Sequence, residues 1–312
     1  MSSDAAISGR SFLVTGGTGS IGKALVAELA SRGARRVVVL ARHASNEGRT
    51  DPSVEALDGD VTDEGAVKSA IEGVNVIFHL AAEKHLDVCE ASPAAAVRTN
   101  VCGTIVVLEA ARRRKHVEQV VVASTAQAVH ATGVYGMSKA IVERLVCERR
   151  DGHARSVAVR LVAIAGDGVT SRWRSSIAEH GEIEVTEPTM TRFVMTRVDA
   201  VSLFIRAMAI REHGCVIARA AKAYRLGDLV DLFAGRYRAR VRVLGVRRGE
   251  SIHEHLVSED EAADAERLET GDILITPGRR GTGISPIGSE RAPRLSSEEL
   301  SELFDLREPI DA

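Results

Sequence analysis

Aromatic residues supply only 3% of this chain of 312 residues, and just three of them are tyrosines. With so few, a tyrosine standing inside a motif is not filler. Cysteine is scarce too: Cys89, Cys102, Cys147 and Cys215 form no C-x-x-C pair and no metal-like cluster. That argues against a zinc site and for a reducing compartment. An excess of one charge is missing; a formal net charge of −2 gives no general case for binding nucleic acid or a membrane surface. The opening "MSSDAAISGR" lacks the apolar core of a signal peptide. No apolar run approaches the roughly 20 residues that cross a bilayer, so the expected location is the cytoplasm. No Pro- or Gly-rich linker and no internal repeat divides the chain. What is there, 45% hydrophobic and 27% charged residues, suits an ordinary globular protein with a sizeable core.

The first half alternates two kinds of segment. "SFLVT" (11–15), "RVVVLA" (36–41), "VIFHLA" (76–81), "VVVAS" (120–124) and "SVAVRLVAI" (156–164) are apolar, largely β-branched runs of buried-strand length. Between them lie helical stretches such as "IGKALVAELASRG" and "PAAAVRTNVCGTIVVLEAARRR". This alternation predicts an α/β fold, a doubly wound parallel (Rossmann) sheet built by right-handed crossovers. Residues 1–166 are expected to form a dinucleotide-binding domain, with room in its sheet for strands from the second half. After about residue 166 the segments become shorter and more charged, so 167–312 reads as a smaller substrate-binding region packed against the first. "HASNEGRT" (43–50) reads as a mobile loop, and "SSEELSELFDL" (296–306) as a capped helix with Ser296 or Ser297 at its start.

"VTGGTGSIGKAL" places Gly16, Gly19 and Gly22 between a strand and a helix. In that context the glycines let backbone N–H groups approach a pyrophosphate, and the helix N-terminus adds a favourable dipole. Such sites usually carry an acid about 20 residues on, where it binds the ribose hydroxyls. Here "VVVLARH" offers Arg42 and no acid. A guanidinium grips a 2′-phosphate that a carboxylate would repel, so NADP is favoured, with NAD as the alternative. Asp60 and Val61, after the third strand, are placed to contact the adenine.

In "STAQAVHATGVYGMSK" (124–139), Tyr135 and Lys139 stand one helical turn apart and share a face. A lysine beside a phenol favours phenolate, which predicts a lowered Tyr135 pKa and a base able to take a hydroxyl proton while hydride leaves the same carbon. Thr125 or Ser124, at the end of a strand, can hydrogen-bond the same hydroxyl.

On these residues the chain resembles the extended short-chain dehydrogenases that act on nucleotide sugars. More narrowly it is similar to the bacterial UDP-N-acetylglucosamine 4,6-dehydratase (CapD-like polysaccharide biosynthesis) group. The likeness runs through "TGGTGSIGKAL", "FHLAAEKHLDVCEASPAAAVRTNVCGT", "MTRFVMT" (190–196) and "GVRRGESIHE" (245–254). It implies that Thr18, Ser20 and Ile21 join the three glycines along the cofactor, as do Ala81, Ala82, Lys84, Asn100, Tyr135 and Lys139. It places Lys84, His85, Arg192, Arg247 and Glu250 along a nucleotide-sugar substrate, UDP-linked by expectation. The arginines would hold its diphosphate and Glu250 its ribose. A homo-oligomer, formed through the helices flanking the sheet, is implied as well.

Two departures stand out. The dehydratase group continues its Ser-Thr pair with Asp-Lys, which protonates the leaving C6 hydroxyl and moves the C5 proton. This chain has Ala126 and Gln127, which can do neither. The group also has Asn where this chain has Ala163. The reading is therefore a nucleotide-sugar epimerase that oxidises C4 with Tyr135 as base and returns the hydride. The alternatives are a 4,6-dehydratase with substitute groups among Glu83, Lys84, His85 and Cys89, and a regulator that binds NADP without turnover.

Overall fold

The computed structural model describes residues 6–46, 51–148 and 154–306. The fold is the α/β class expected: a nine-stranded, mostly parallel sheet with helices on both faces. β1 (Ser11–Thr15), α1 (Ser20–Ser31), β2 (Arg36–Ala41), β3 (Val54–Asp58), α2 (Glu64–Ala70) and β4 (Val76–His79) lay down the first half. α3 (Leu86–Ala91) follows. Then comes a continuous helix, α4 (Pro93–Val97) and α5 (Gly103–Arg112), joined by a π-helical turn over Arg98–Cys102. β5 (Gln119–Thr125), α6 (Val134–Cys147) and β6 (Arg155–Leu161) complete the parallel core. Of the polar loop expected at 43–50, Ala44–Asn46 form a 3₁₀ turn, and 47–50 lie outside the described residues.

The helix over Pro93–Arg112 corrects one expectation. By length and composition it could span a bilayer. Instead it lies on the sheet and buries Asn100, Val107 and Ala111, as the core helix of a crossover does.

The second half alternates less regularly. It contributes β7 (Ala163–Ile164), α7 (Val169–His180), β8 (Glu182–Val185), β9 (Thr191–Met195), α8 (Arg197–Ala207), β10 (Cys215–Arg219) and β11 (Ala223–Arg225). It continues with α9 (Leu226–Tyr237), β12 (Arg240–Val243), β13 (His255–Val257), β14 (Ala265–Arg267), β15 (Asp272–Ile275), β16 (Ile287–Gly288) and α10 (Ser297–Leu303). Ser296 caps α10 in a capping box with Glu299. β10, β15 and β14 return to the large sheet, whose order is β14-β15-β10-β6-β5-β4-β1-β2-β3. The small sheets β11-β9-β7, β12-β8 and β13-β16 lie outside it, and Trp173, Phe233, Tyr224 and Phe304 form a second, smaller core there.

The order has one functional consequence. The order in which the chain adds parallel strands reverses between β1 and β4, so the loops at their carboxyl ends diverge and leave a crevice. The glycine turn leaves β1 there, and the loop 80–85 leaves β4. The crevice is held from below by aromatics: Phe12 of β1 stacks on Phe78 of β4 at 6.1 Å, and Phe78 meets the edge of Phe204 of α8 at 6.2 Å. All three rings are fully buried. Phe78→Ala is expected to cost about 3–5 kcal/mol in denaturant unfolding. Val198→Ala, at a position 78% exposed on α8, is expected to cost less than about 0.5 kcal/mol. Equal losses would refute this account of the core.

Candidate active site

Gly16 turns away from β1 with φ +68°, and a Cβ there would stand 2.7 Å from the Ala81 nitrogen. The two loops of the crevice therefore touch backbone to backbone. A Cβ on Gly22 would stand 2.4 Å from the Gly16 oxygen, so α1 packs directly on the turn. Gly19 differs: it is exposed, and its Cβ would meet only ordinary contact at 3.4 Å, so its bare backbone serves the crevice and not internal packing. α1 starts there with no side-chain cap, and the buried Ser20 hydroxyl has no hydrogen-bond partner among the described residues. Free N–H groups, a helix dipole and an orphaned hydroxyl form an anion cradle, and a dinucleotide pyrophosphate fits it. Thr18 and Ile21 are half-buried at its rim.

Arg42 is exposed at the end of β2 and makes no hydrogen bond or ion pair among the described residues. It lies close enough to Asp60 to help lower that carboxyl, although the Thr62 backbone N–H, at 2.9 Å, is the main cause. The other residue expected at the adenine, Val61, is buried, with its side chain pressed against Gly103 at the start of α5, so that side chain is floor and any contact it makes there is through its backbone.

Beneath the crevice runs a chain of hydrogen bonds with a fixed direction. The Thr104 hydroxyl donates to the Asn100 carbonyl at 2.6 Å, so its oxygen accepts from His79 Nε2 at 3.1 Å. His79 Nδ1 then accepts from the Thr15 hydroxyl at 2.7 Å, and that oxygen accepts from the Ala81 N–H at 3.3 Å. Burial, helped by the Lys139 charge, pushes the His79 pKa down to about 3, so the ring is neutral. Asn100 was expected along the cofactor. The structure spends its amide internally: Oδ1 accepts from the Glu83 N–H at 2.7 Å, and Nδ2 donates to the Glu83 carbonyl and the Ser138 hydroxyl, both at 2.9 Å. Asn100 thereby splices the loop after β4 to α6, one turn from Tyr135. Ala81 and Ala82 are half-buried in that loop, while Lys84 and His85 are exposed at its tip.

Tyr135 and Lys139 stand at the start of α6. Gly136 lets the helix in, since a Cβ there would lie 2.3 Å from the Gln127 oxygen. The Thr125 hydroxyl lies beside the Tyr135 phenol and favours its ionised form. The expected lowering of the phenol by Lys139 is not what this structure shows. Burial raises the Tyr135 pKa, the nearby Cys89 adds to the rise, and only Thr125 opposes it. The reason is where the ammonium points: Lys139 Nζ donates to the Ala123 carbonyl at 2.8 Å. Burial brings Lys139 itself down to about 8, against an upward pull from Glu143.

Ser124 is corrected more simply. Side chains alternate along β5, so Ser124 faces away from Thr125 and donates to Glu143 at 2.7 Å beneath the helix. Ala126 is buried and Gln127 half-buried in the 3₁₀ turn after β5.

The residues expected on the nucleotide are engaged with one another. Arg247 donates to Glu250 at 2.8 Å and to Asp87 of α3 at 3.2 Å, while its Nε is buried without a partner among the described residues. Arg192 of β9 donates to the Thr191 and Ile252 carbonyls at 2.9 and 3.1 Å and lies 3.8 Å from Glu254. Ala163 pairs with Val194 across β7 and β9, next to that arginine's strand. His79, Glu143, Arg160 and Glu254 were not singled out from the sequence. The available signals were a histidine inside the apolar strand "VIFH", a glutamate one turn beyond Lys139, and an arginine in "SVAVRL".

The polysaccharide biosynthesis protein family matches residues 12–275. A UDP-glucose 4-epimerase from Rickettsia bellii is 31% identical over 325 residues, covering 95% of each chain. The X-ray structure of Pen from Bacillus thuringiensis superposes with a TM-score of 0.89 at 29% identity, covering 96% of this chain and 98% of that one. A dTDP-glucose 4,6-dehydratase from Streptomyces venezuelae, solved with NAD bound, shares the fold at a TM-score of 0.70 and 22% identity, over 78% of this chain and 86% of that one.

The neutral imidazole ties stability to pH. An unfolded His79 takes a proton near 6.5, the folded one only near 3. Below 6.5 the unfolded chain binds more protons, so stability falls with falling pH, by at most about 1.4 kcal/mol per unit from this group. His79→Gln cannot titrate. Its stability deficit against wild type, expected at about 1–3 kcal/mol at pH 8, should therefore shrink between pH 6.5 and 4 in urea titrations. A constant deficit would show that the ring is not buried neutral.

Proposed function

The chain belongs to the polysaccharide biosynthesis protein family, among the extended short-chain nucleotide-sugar epimerases and dehydratases, and on that premise we propose that it is an NAD(P)-dependent 4-epimerase of a UDP-linked sugar. One observation carries the reading. The groups for C4 oxidation, Thr125, Tyr135 and Lys139, meet at the crevice, while the next two side chains, Ala126 and Gln127, offer no acid or base for losing water at C6.

In this reading Tyr135 takes the C4 hydroxyl proton, Thr125 orients that hydroxyl, and Lys139, turning from the Ala123 carbonyl it now holds, supplies the positive charge that steadies the phenolate as it forms. A nicotinamide cofactor held at the glycine turn would supply reversible acceptance of the C4 hydride, which epimerisation returns to the opposite face. The ketone must turn over between the two transfers, and no side chain at 126 or 127 intercepts it. Arg247 and Arg192 exchange part of their present partners for the diphosphate, and Glu250 turns to the ribose. Lys84, exposed beside the crevice, is the further cation for either ligand. NADP is the proposed cofactor on the strength of Arg42, with NAD the second choice. We place a second copy of the chain on the face of α6 that exposes Met137 and Ile141 beside Val97 of α4.

Incubation with UDP-glucose and UDP-N-acetylglucosamine, followed by NMR and mass spectrometry, should give an unchanged mass with C4 inverted. Loss of water would instead assign a dehydratase working through Glu83, His85 or Cys89. Cofactor binding without turnover of any nucleotide sugar would assign a regulator. Tyr135→Phe should lower kcat by about 10²–10⁴-fold; retained activity would sink the proton-transfer assignment. Arg42→Ala should weaken NADP by about tenfold or more in titration calorimetry and leave NAD nearly unchanged; equal losses would remove the case for NADP.

A further inference from the structure

Below the proton-transfer site lies a buried ion cluster that the reaction as proposed does not use. Arg160 of β6 is only 1% exposed. Its Nη2 lies 2.6 Å from Glu143 Oε2 and 2.7 Å from Glu261 Oε1, and its Nε donates to Glu143 Oε1 at 3.0 Å. Nη1 donates to Glu261 Oε2 at 3.0 Å and to the Leu256 carbonyl at 2.6 Å. A lone buried guanidinium is costly, and here every donor group is matched by two carboxylates and a carbonyl. Burial alone would lower the Arg160 pKa; Glu143 first and then Glu261 raise it.

The cluster reaches the active site by two routes. Glu143 stands one helical turn beyond Lys139 on α6, on the same face. Its Oε1 also takes the Ser124 hydroxyl, at 2.7 Å, which leaves Thr125 as the hydroxyl on the Tyr135 side of β5. On the far side, Glu261 is held by the Ser258 N–H at 3.1 Å, in the segment that follows Arg247 and Glu250.

We propose that Glu143, held between Arg160 and Ser124, is a positioning residue that keeps Lys139 charged in its buried site, with Glu261 as an outer support. The inference rests on the proposed role of Lys139 but not on which sugar is turned over. The groups facing Lys139 are few. On α6 they are Glu143 and Tyr135. β4 brings the neutral His79, and β5 brings the Ala123 carbonyl that the ammonium holds. Arg160 of β6 stands behind Glu143. Glu143 is the negative group among them that pulls the Lys139 proton affinity up against burial.

The sign follows. Removing a negative charge near Lys139 disfavours its ammonium, so Glu143→Gln should move its titration to lower pH by about 1 unit. Glu261→Gln, farther out and part-exposed, should move it the same way by less. Glu143→Asp keeps the charge and should recover part of the shift. The readout is NMR of protein labelled with ¹³C at lysine Cε, with Lys139→Met to assign the resonance. It needs no substrate, so failure of the epimerase reading leaves it intact. If the enzyme turns over, the basic limb of its kcat/KM profile should shift with the resonance. An unmoved or upward-moving midpoint in folded Glu143→Gln would overturn the proposal, as would equal shifts in Glu143→Gln and Glu143→Asp. Should Glu143→Gln fail to fold, Glu261→Gln decides in the same way.

Discussion

The structure around the crevice depends on one uncharged ring. His79 sits where β4 ends, between the threonine that closes β1 and the threonine that opens α5. Because burial keeps it neutral, one nitrogen donates and the other accepts, and every hydroxyl in the chain has a single orientation. That polarity runs from the Ala81 N–H beside the glycine turn to the Asn100 carbonyl, and the Asn100 amide passes the constraint to Glu83 and Ser138. Anion cradle, crevice loop and Tyr135 helix are thus registered to one another without any ligand. A protonated ring would have two donors and no acceptor, and the line would break at Thr15.

Electrostatics in this site are set by what each charge already holds. Lys139 points at a carbonyl of β5, and Tyr135 is left to the effects of burial and one hydroxyl. Arg247 and Arg192 are likewise occupied, by Glu250, Asp87 and backbone carbonyls. Binding in such a place is an exchange of partners. That lowers the cost of keeping buried charge in the absence of a ligand, and it makes affinity depend on how well the incoming group replaces the old one.

Much of this was legible in the residues themselves. Five apolar runs mapped onto strands within a few residues of their ends, because β-branched runs bounded by glycines have few other uses. The glycine turn and the Tyr135–Lys139 pair are local in sequence, so their spacing carries their geometry. Orientation was not legible. Whether Ser124 or Thr125 faces Tyr135 depends on the pleat of β5, and Val61 is floor because Gly103 packs on it. The His79 line and the Arg160 cluster join residues 64 and 101 positions apart, Thr15 to His79 and Arg160 to Glu261, and no short-range pattern announces them. The missing acid–base pair at 126 and 127 was readable, because substitution at unchanged spacing needs no coordinates.

The stretch from Gly249 to Glu261 touches α6 near both ends. Gly249 lies against Gly133, where a side chain on either would strike the other's backbone, and the Thr132 hydroxyl donates to the Gly249 carbonyl. Glu261 reaches the far half of the helix through Arg160 and Glu143. For anyone recombining relatives, the two pieces are therefore a single module. A chimaera that imports a relative's 245–261 must import the matching helix start and the buried arginine with it, or it inherits a segment seated on the wrong helix.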